Sequence, residues 1–218
     1  MANQTEEVKD DIISRLMRRE LLPGDPVDEA GIQKRLGISG TPVREALIAL
    51  EGDGTVERRR RGGAIVARIS FEDLIKYNEV LAEVEGAIAA LASQRISRSQ
   101  AEALKRSGDA CLDHVENREN SAAEYYQLNV EFHAALGRAC GNEYLRETAL
   151  NLERKIYPYL SFRLDAPAER VRSAREHVDI CSAILKADAT KARDLMRKHV
   201  LFSNETALTI MNSVKRSA

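Results

Sequence analysis

The chain has 218 residues, 44% of them hydrophobic, which is enough to bury a sizeable core as one large or two small folded units. With 33 Lys and Arg against 34 Asp and Glu the net charge is −1, so the overall balance gives no case for nucleic acid, an acidic substrate or a membrane surface. Charge interrupts every long apolar run, residues 1–7 lack the order of a signal peptide, and the absence of tryptophan with only 5% aromatics leaves little surface for stacking single-stranded bases. A cytoplasmic location without membrane contact is the expectation. The cysteines at 111, 140 and 181 are widely spaced and form no C-x-x-C, so they read as small buried hydrophobes.

Eight of the 12 glycines fall at or before Gly63, so the first third is built of short pieces. Val8, Ile12 and Leu16 form the stripe of a first helix that ends by Pro23-Gly24. Asp28 caps a short second helix carrying Ile32 and Leu36 and closed by Gly37. Ser39 or Thr41 caps a third, with Pro42 in its first turn and Val43, Ala46, Leu47 and Leu50 inward. Strands at 55–59 and 64–68 then make a hairpin with Arg60, Arg61, Gly62 and Gly63 at its tip. That order is a winged helix-turn-helix over residues 1–70.

From residue 71 the apolar spacing turns helical, giving six stretches at 71–96, 97–116, 121–140, 142–162, 167–186 and 188–212. Ser97-x-x-Gln100 and Ser121-x-x-Glu124 are capping boxes, Asp188 is a cap, and Gly141 lies where a helix-ending glycine belongs. Pro158 is expected to kink the fourth stretch. Connections this short predict an antiparallel bundle over 71–218, so the fold class is mainly α: a winged helix-turn-helix followed by an all-helical bundle.

The second helix of a helix-turn-helix presents its first residues to the major groove. Thr41 and Arg44 share one face of that helix, opposite Val43, Leu47 and Leu50. Residues 34–61 hold seven basic side chains, Lys34, Arg35, Arg44 and Arg58, Arg59, Arg60 and Arg61, against four acidic ones, a local excess the total conceals. A wing of four arginines suits phosphates or a minor groove; the alternative is a small protein-binding domain with a solvated basic loop. Residues 20–25 (Glu-Leu-Leu-Pro-Gly-Asp), 32–39 (Ile-Gln-Lys-Arg-Leu-Gly-Ile-Ser) and 41–47 (Thr-Pro-Val-Arg-Glu-Ala-Leu) resemble the winged helix of GntR-family bacterial transcription regulators. The resemblance implies Ser39, Thr41 and Arg44 as contacts to a double-stranded operator and the Gly62-Gly63 hairpin as the wing. It also marks a departure, because Gly40 stands where the family usually has arginine.

Three of the four histidines, His133, His177 and His199, lie on apolar stripes of three different stretches. Singly each reads as a core histidine; together they are able to converge as metal ligands, with Asn129 one turn before His133 on the same face. His114, between Asp113 and Glu116, reads as a surface residue. The text Asn129-Val-Glu-Phe-His133, Glu176-His177 and Met196-Arg-Lys-His199 resembles the FCD domain of the FadR-like branch of that family. The resemblance implies a divalent metal held by three histidines and an aspartate, beside a pocket for a small carboxylate effector. Asn129 replaces the aspartate, which favours a nitrogen-loving metal such as zinc or nickel, and Leu81 stands near where relatives often carry an arginine. Six stretches rather than seven favour the VanR-like subgroup.

The function expected is a homodimeric, ligand-responsive transcription regulator that is not an enzyme. One rival is a metal-dependent hydrolase, opposed by the lack of a general base, since Glu131 and Glu176 each neighbour a histidine in sequence and so point away from it. The other is a regulator whose bundle only dimerises.

Overall fold

The computed structural model describes residues 4–60, 62–116 and 121–217, the last three as backbone only. Two hydrophobic cores organise them, one drawn from Val8 to Val66 and the other from Leu74 to Val214.

The first core is enclosed by α1 (Gln4–Met17), α2 (Glu29–Leu36) and α3 (Gly40–Gly52). Asp28 caps α2 through the Gly31 amide, and Gly37 ends it in the left-handed region at φ 66°. Strands β2 (Val56–Arg58) and β3 (Ala64–Val66) form the hairpin, shorter than the alternation suggested. A third strand, β1 (Pro26–Val27), pairs with the other side of β3, so the sheet order is β1-β3-β2. Its two residues carry no periodic signal; only the β3 edge makes them a strand.

The second core is enclosed by α4 (Phe71–Arg95), α5 (Arg98–Glu116), α6 (Ala122–Ala139), α7 (Glu143–Arg163), α8 (Pro167–Leu185), α9 (Ala189–Val200) and α10 (Asn204–Ser217). The Ser97–Gln100 box closes reciprocally, while Ser121 caps α6 through the Glu124 amide alone. Helix α7 runs on through Pro158. Cys111, Cys140 and Cys181 are all buried and free.

The expectation of six helices is corrected to seven. The last stretch breaks at Leu201, whose backbone is extended (φ −66°, ψ 134°). Asn78, 1% exposed on α4, causes the break by clasping both sides of it: its Nδ2 donates to the Val200 carbonyl at 3.0 Å and its Oδ1 accepts from the Phe202 amide at 3.1 Å. Ser203 then caps α10 through the Thr206 amide. The count that favoured the six-helix subgroup therefore does not hold.

Candidate functional site

The N-terminal unit presents α3 outward. Val43, Ala46, Leu47 and Leu50 are buried, leaving Ser39, Thr41 and Arg44 exposed. Ser39 makes no side-chain cap, so the first amides of α3 are open to an anion such as a phosphate. Arg44 and Lys34 have no ion pair among the described residues, whereas Arg35 is held 2.7 Å from Asp11 of α1. Gly40 has ordinary backbone geometry, and a Cβ there would meet only the Gln33 side chain at 3.7 Å. Ile48, one turn after Arg44, is 55% exposed on the same face, an outward apolar side chain that the sequence alone does not mark because Ile reads as core by default. In the wing, Arg58, Arg59 and Arg60 are exposed and Gly62 and Gly63 take positive φ of 91° and 79° to turn the chain; Arg61 lies outside the described residues.

In the bundle the three histidines converge. His133 comes from α6, His177 from α8 and His199 from α9, and one ring nitrogen of each lies within 4.8 Å of the others. His177 is fully buried and His199 is 6% exposed. Their Nε2 atoms are 3.2 Å apart, a distance that suits an N–H···N hydrogen bond and also matches the roughly 3.4 Å between two nitrogens on one tetrahedral zinc. Burial, then the neighbouring histidines, hold His177 well below the usual imidazole value; burial, then His133 and Arg172, do the same for His199. Both rings are thus neutral, as ligands must be. Burial also presses on His133, but the hydrogen bond and charge of Glu85 outweigh it and raise that ring.

Carboxylates set the tautomers. Nδ1–H of His199 donates to Glu176 at 2.8 Å and Nδ1–H of His133 donates to Glu85 at 3.5 Å, which leaves each Nε2 lone pair free for a metal. Nδ1 of His177 has no hydrogen-bond partner among the described residues. His133, His199 and Asn129 line a cavity of about 360 Å³, whose wall also carries Glu85, Glu153, Tyr126 and Tyr157. Asn129 makes no hydrogen bond among the described residues, so its amide is available to the cavity. Burial, then Glu85, push Glu153 up to about 7. Three imidazole nitrogens gathered in this way are donors able to hold a divalent metal ion. His114 lies apart and is half-buried, not a surface residue, with Nε2 3.0 Å from the Ser121 carbonyl.

The cavity reaches the other unit, because Ile13, Leu16, Met17 and Thr55 contribute to its lining. Beside it, Arg19 stacks 4.2 Å over Phe162 and binds Asp165 at 2.9 Å and the Ser161 hydroxyl at 3.1 Å, while Tyr157 OH donates to the Met17 carbonyl. Arg163, next to Phe162, donates to the His199 carbonyl and to Glu169. Arg172 bridges Glu169 to Glu176. One chain of polar contacts therefore runs from His199 to the end of α7 on which Arg19 sits.

Residues 4–66 match the bacterial regulatory proteins of the gntR family, and residues 77–202 match the FCD domain. The chain belongs to the GntR family. Among relatives of this regulator, the HTH-type transcriptional repressor RspR of Escherichia coli K12 is 27% identical over 215 residues, covering 95% of this chain and 92% of that protein. A probable D-xylose utilization operon transcriptional repressor of Paenarthrobacter nicotinovorans is 27% identical over 195 residues, covering 89% and 84%. The fold of McbR/YncC of E. coli matches with a TM-score of 0.80 at 21% identity over 99% of both chains.

These relatives are transcription regulators and not enzymes, which removes the hydrolase alternative for this regulator. By its position in sequence Glu176 points away from its neighbour His177; the side chain crosses to His199 on the next helix. Glu85 and Glu153 went unnoticed because their only link to His133 is the packing of α4 and α7 against α6, which no local spacing encodes.

Proposed function

We propose that this GntR-family protein is a homodimeric, ligand-responsive regulator of transcription. Residues 1–70 grip a near-palindromic duplex operator through Ser39, Thr41, Arg44 and the wing arginines. Lys34 and Arg35 lie toward the phosphates, and Gly40 leaves a gap where relatives place an arginine. Residues 71–218 dimerise and hold a divalent metal, zinc or nickel, on His133, His177, His199 and the Asn129 carbonyl. The metal supplies a Lewis-acidic position for the carboxylate of a small effector in the cavity. Glu85 and Glu176 orient the imidazoles, and the apolar wall excludes water around them.

The observation that carries the proposal is the meeting of three imidazoles from three helices, two of which, His133 and His199, line one cavity that also touches α1. The contacts of Arg19 and Tyr157 offer a route by which occupancy of the cavity shifts the DNA-binding unit. Two relatives bear the name of repressor, which favours repression as the sign of control.

Anisotropy of labelled duplex DNA tests the first part. Affinity should fall steeply between low and physiological salt, because a dimer displaces counterions with two copies of Arg44 and of the wing; a flat dependence overturns it. Sedimentation at micromolar concentration should give a dimer, since palindromic operators mirror two-fold protein symmetry. A monomer with full operator affinity contradicts it.

A further inference from the structure

Helices α4 and α7 bring two carboxylates, Glu85 and Glu153, to the cavity beside His133, and one ligand-capable atom from each of the three lies within 4.8 Å of the others. Glu85 is only 3% exposed, and its partner is His133 at 3.5 Å, the outer limit of a hydrogen bond. Glu153 has no hydrogen bond or ion pair among the described residues. Arg154, its sequence neighbour, lowers Glu153 by its charge but is ion-paired to neither carboxylate among the described residues, Arg146 lines the same cavity, and Arg163 is taken by Glu169 and the His199 carbonyl. Two adjacent carboxylates on a sheltered wall, neither of them ion-paired to an arginine among the described residues, offer oxygens to a cation whose charge would offset their burial.

A second metal ion does not suit this position. Nδ1 of His133 donates to Glu85, and its other nitrogen serves the histidine triad, so a metal on the ring's Nδ1 would have to strip its last proton. An ammonium group has no such conflict, because it brings its own N–H donors and uses carboxylate oxygens alone. Tyr126 and Tyr157, packed edge to face with centroids 4.7 Å apart, add aromatic surface to the same wall, which suits a cation further.

We propose that Glu85 and Glu153 hold the ammonium group of the effector, so that the ligand is a small zwitterion of the amino-acid class with its carboxylate toward the histidine triad. The orientation rests on the metal and carboxylate reading above; the acidic subsite does not. The two subsites share His133, so a short molecule spans both, and a cavity of about 360 Å³ lies in the range of small-ligand sites. Apolar lining residues such as Ile88 and Val130 leave room for a nonpolar side chain.

The test is calorimetric titration of the zinc-loaded full chain with a panel of small amino acids, each matched to the hydroxy acid and the unsubstituted acid of the same skeleton, and of the zinc-free chain with propylammonium. The best amino acid should bind at least about tenfold tighter than its matched acids. Glu153→Gln should shrink that ratio to roughly one while keeping the affinity of the unsubstituted acid; Glu85→Gln should do the same if circular dichroism shows it folded. Equal or tighter binding by the unsubstituted acids, or a ratio unchanged in Glu153→Gln, overturns the proposal, as does failure of every amine, propylammonium included, to bind. Propylammonium binding that depends on Glu153, with no acid binding to the zinc-loaded chain, supports the acidic subsite and overturns the carboxylate-on-metal reading instead.

Discussion

The Glu176 carboxylate accepts the Nδ1–H of His199 at 2.8 Å, although in sequence it is the neighbour of His177. This contact fixes the tautomer that leaves Nε2 of His199 unprotonated, and Arg172 holds the carboxylate from its other side at 2.7 Å. Glu176→Ala should therefore lower zinc affinity about 10- to 100-fold, measured by chelator competition, with the helical content unchanged. Unaltered affinity would mean that the pair serves packing alone.

The metal and core readings of the triad differ in stability. A ligand that binds only the folded chain stabilises it, by about 2.7 kcal/mol at a hundredfold excess over Kd. The zinc-loaded chain should melt higher than the EDTA-treated one, and His177→Ala should erase the difference. Asn129→Asp should raise metal affinity by restoring a charged ligand; in a metal-free apolar wall the same carboxylate would instead destabilise the bundle. Chelator without effect on melting, or a lower melting temperature of Asn129→Asp in saturating zinc, would leave the bundle as a dimerisation unit.

Glu153 gives a pH signature. Burial and Glu85 raise its carboxyl to about 7 in the folded metal-free chain, against 4.5 unfolded. The folded state then binds more protons between those values, so this group costs stability as pH rises from 4.5 to 7 and the cost is complete above 7. Glu153→Gln should stabilise the metal-free chain at pH 8 relative to its effect at pH 4.5. An effect independent of pH would show that the carboxyl is not desolvated.

Binding of duplex DNA should depend on Arg44 in a way that separates its roles. If the guanidinium reads a base edge, Arg44→Ala costs about 1 to 3 kcal/mol per half-site and relaxes preference there; equal loss on all sequences assigns it to phosphate. Gly40→Arg should tighten binding to operators of relatives that carry arginine at this position, because the backbone is ordinary and the nearest atom to a new Cβ is 3.7 Å away. No gain on such operators would mean that the helix docks differently.

Much of the architecture was legible because its signals are local. Asp28, Gly37, Ser97, Gln100 and Asp188 act where their spacing placed them, and the stripes holding His133, His177 and His199 pointed those rings inward. What escaped depends on partners far away in sequence. Residue 201 reads as helix interior until Asn78, more than a hundred residues earlier, takes the backbone groups on both sides of it. Pro26–Val27 becomes a strand only against β3. The acidic half of the site comes from Glu85, Glu153 and Glu176 on three helices, and each of them alone reads as a solvated charge.

In the proposed function the exposed face of α3 and the wing read duplex DNA as a symmetric pair. Selection from a random duplex library by the zinc-loaded full chain tests it most directly. A near-palindromic sequence whose half-sites are centred about one helical turn apart, roughly 10 base pairs, should be enriched, and that enrichment should be lost in Arg44→Ala. A selected pool without a shared sequence, or one that Arg44→Ala enriches equally well, would contradict it.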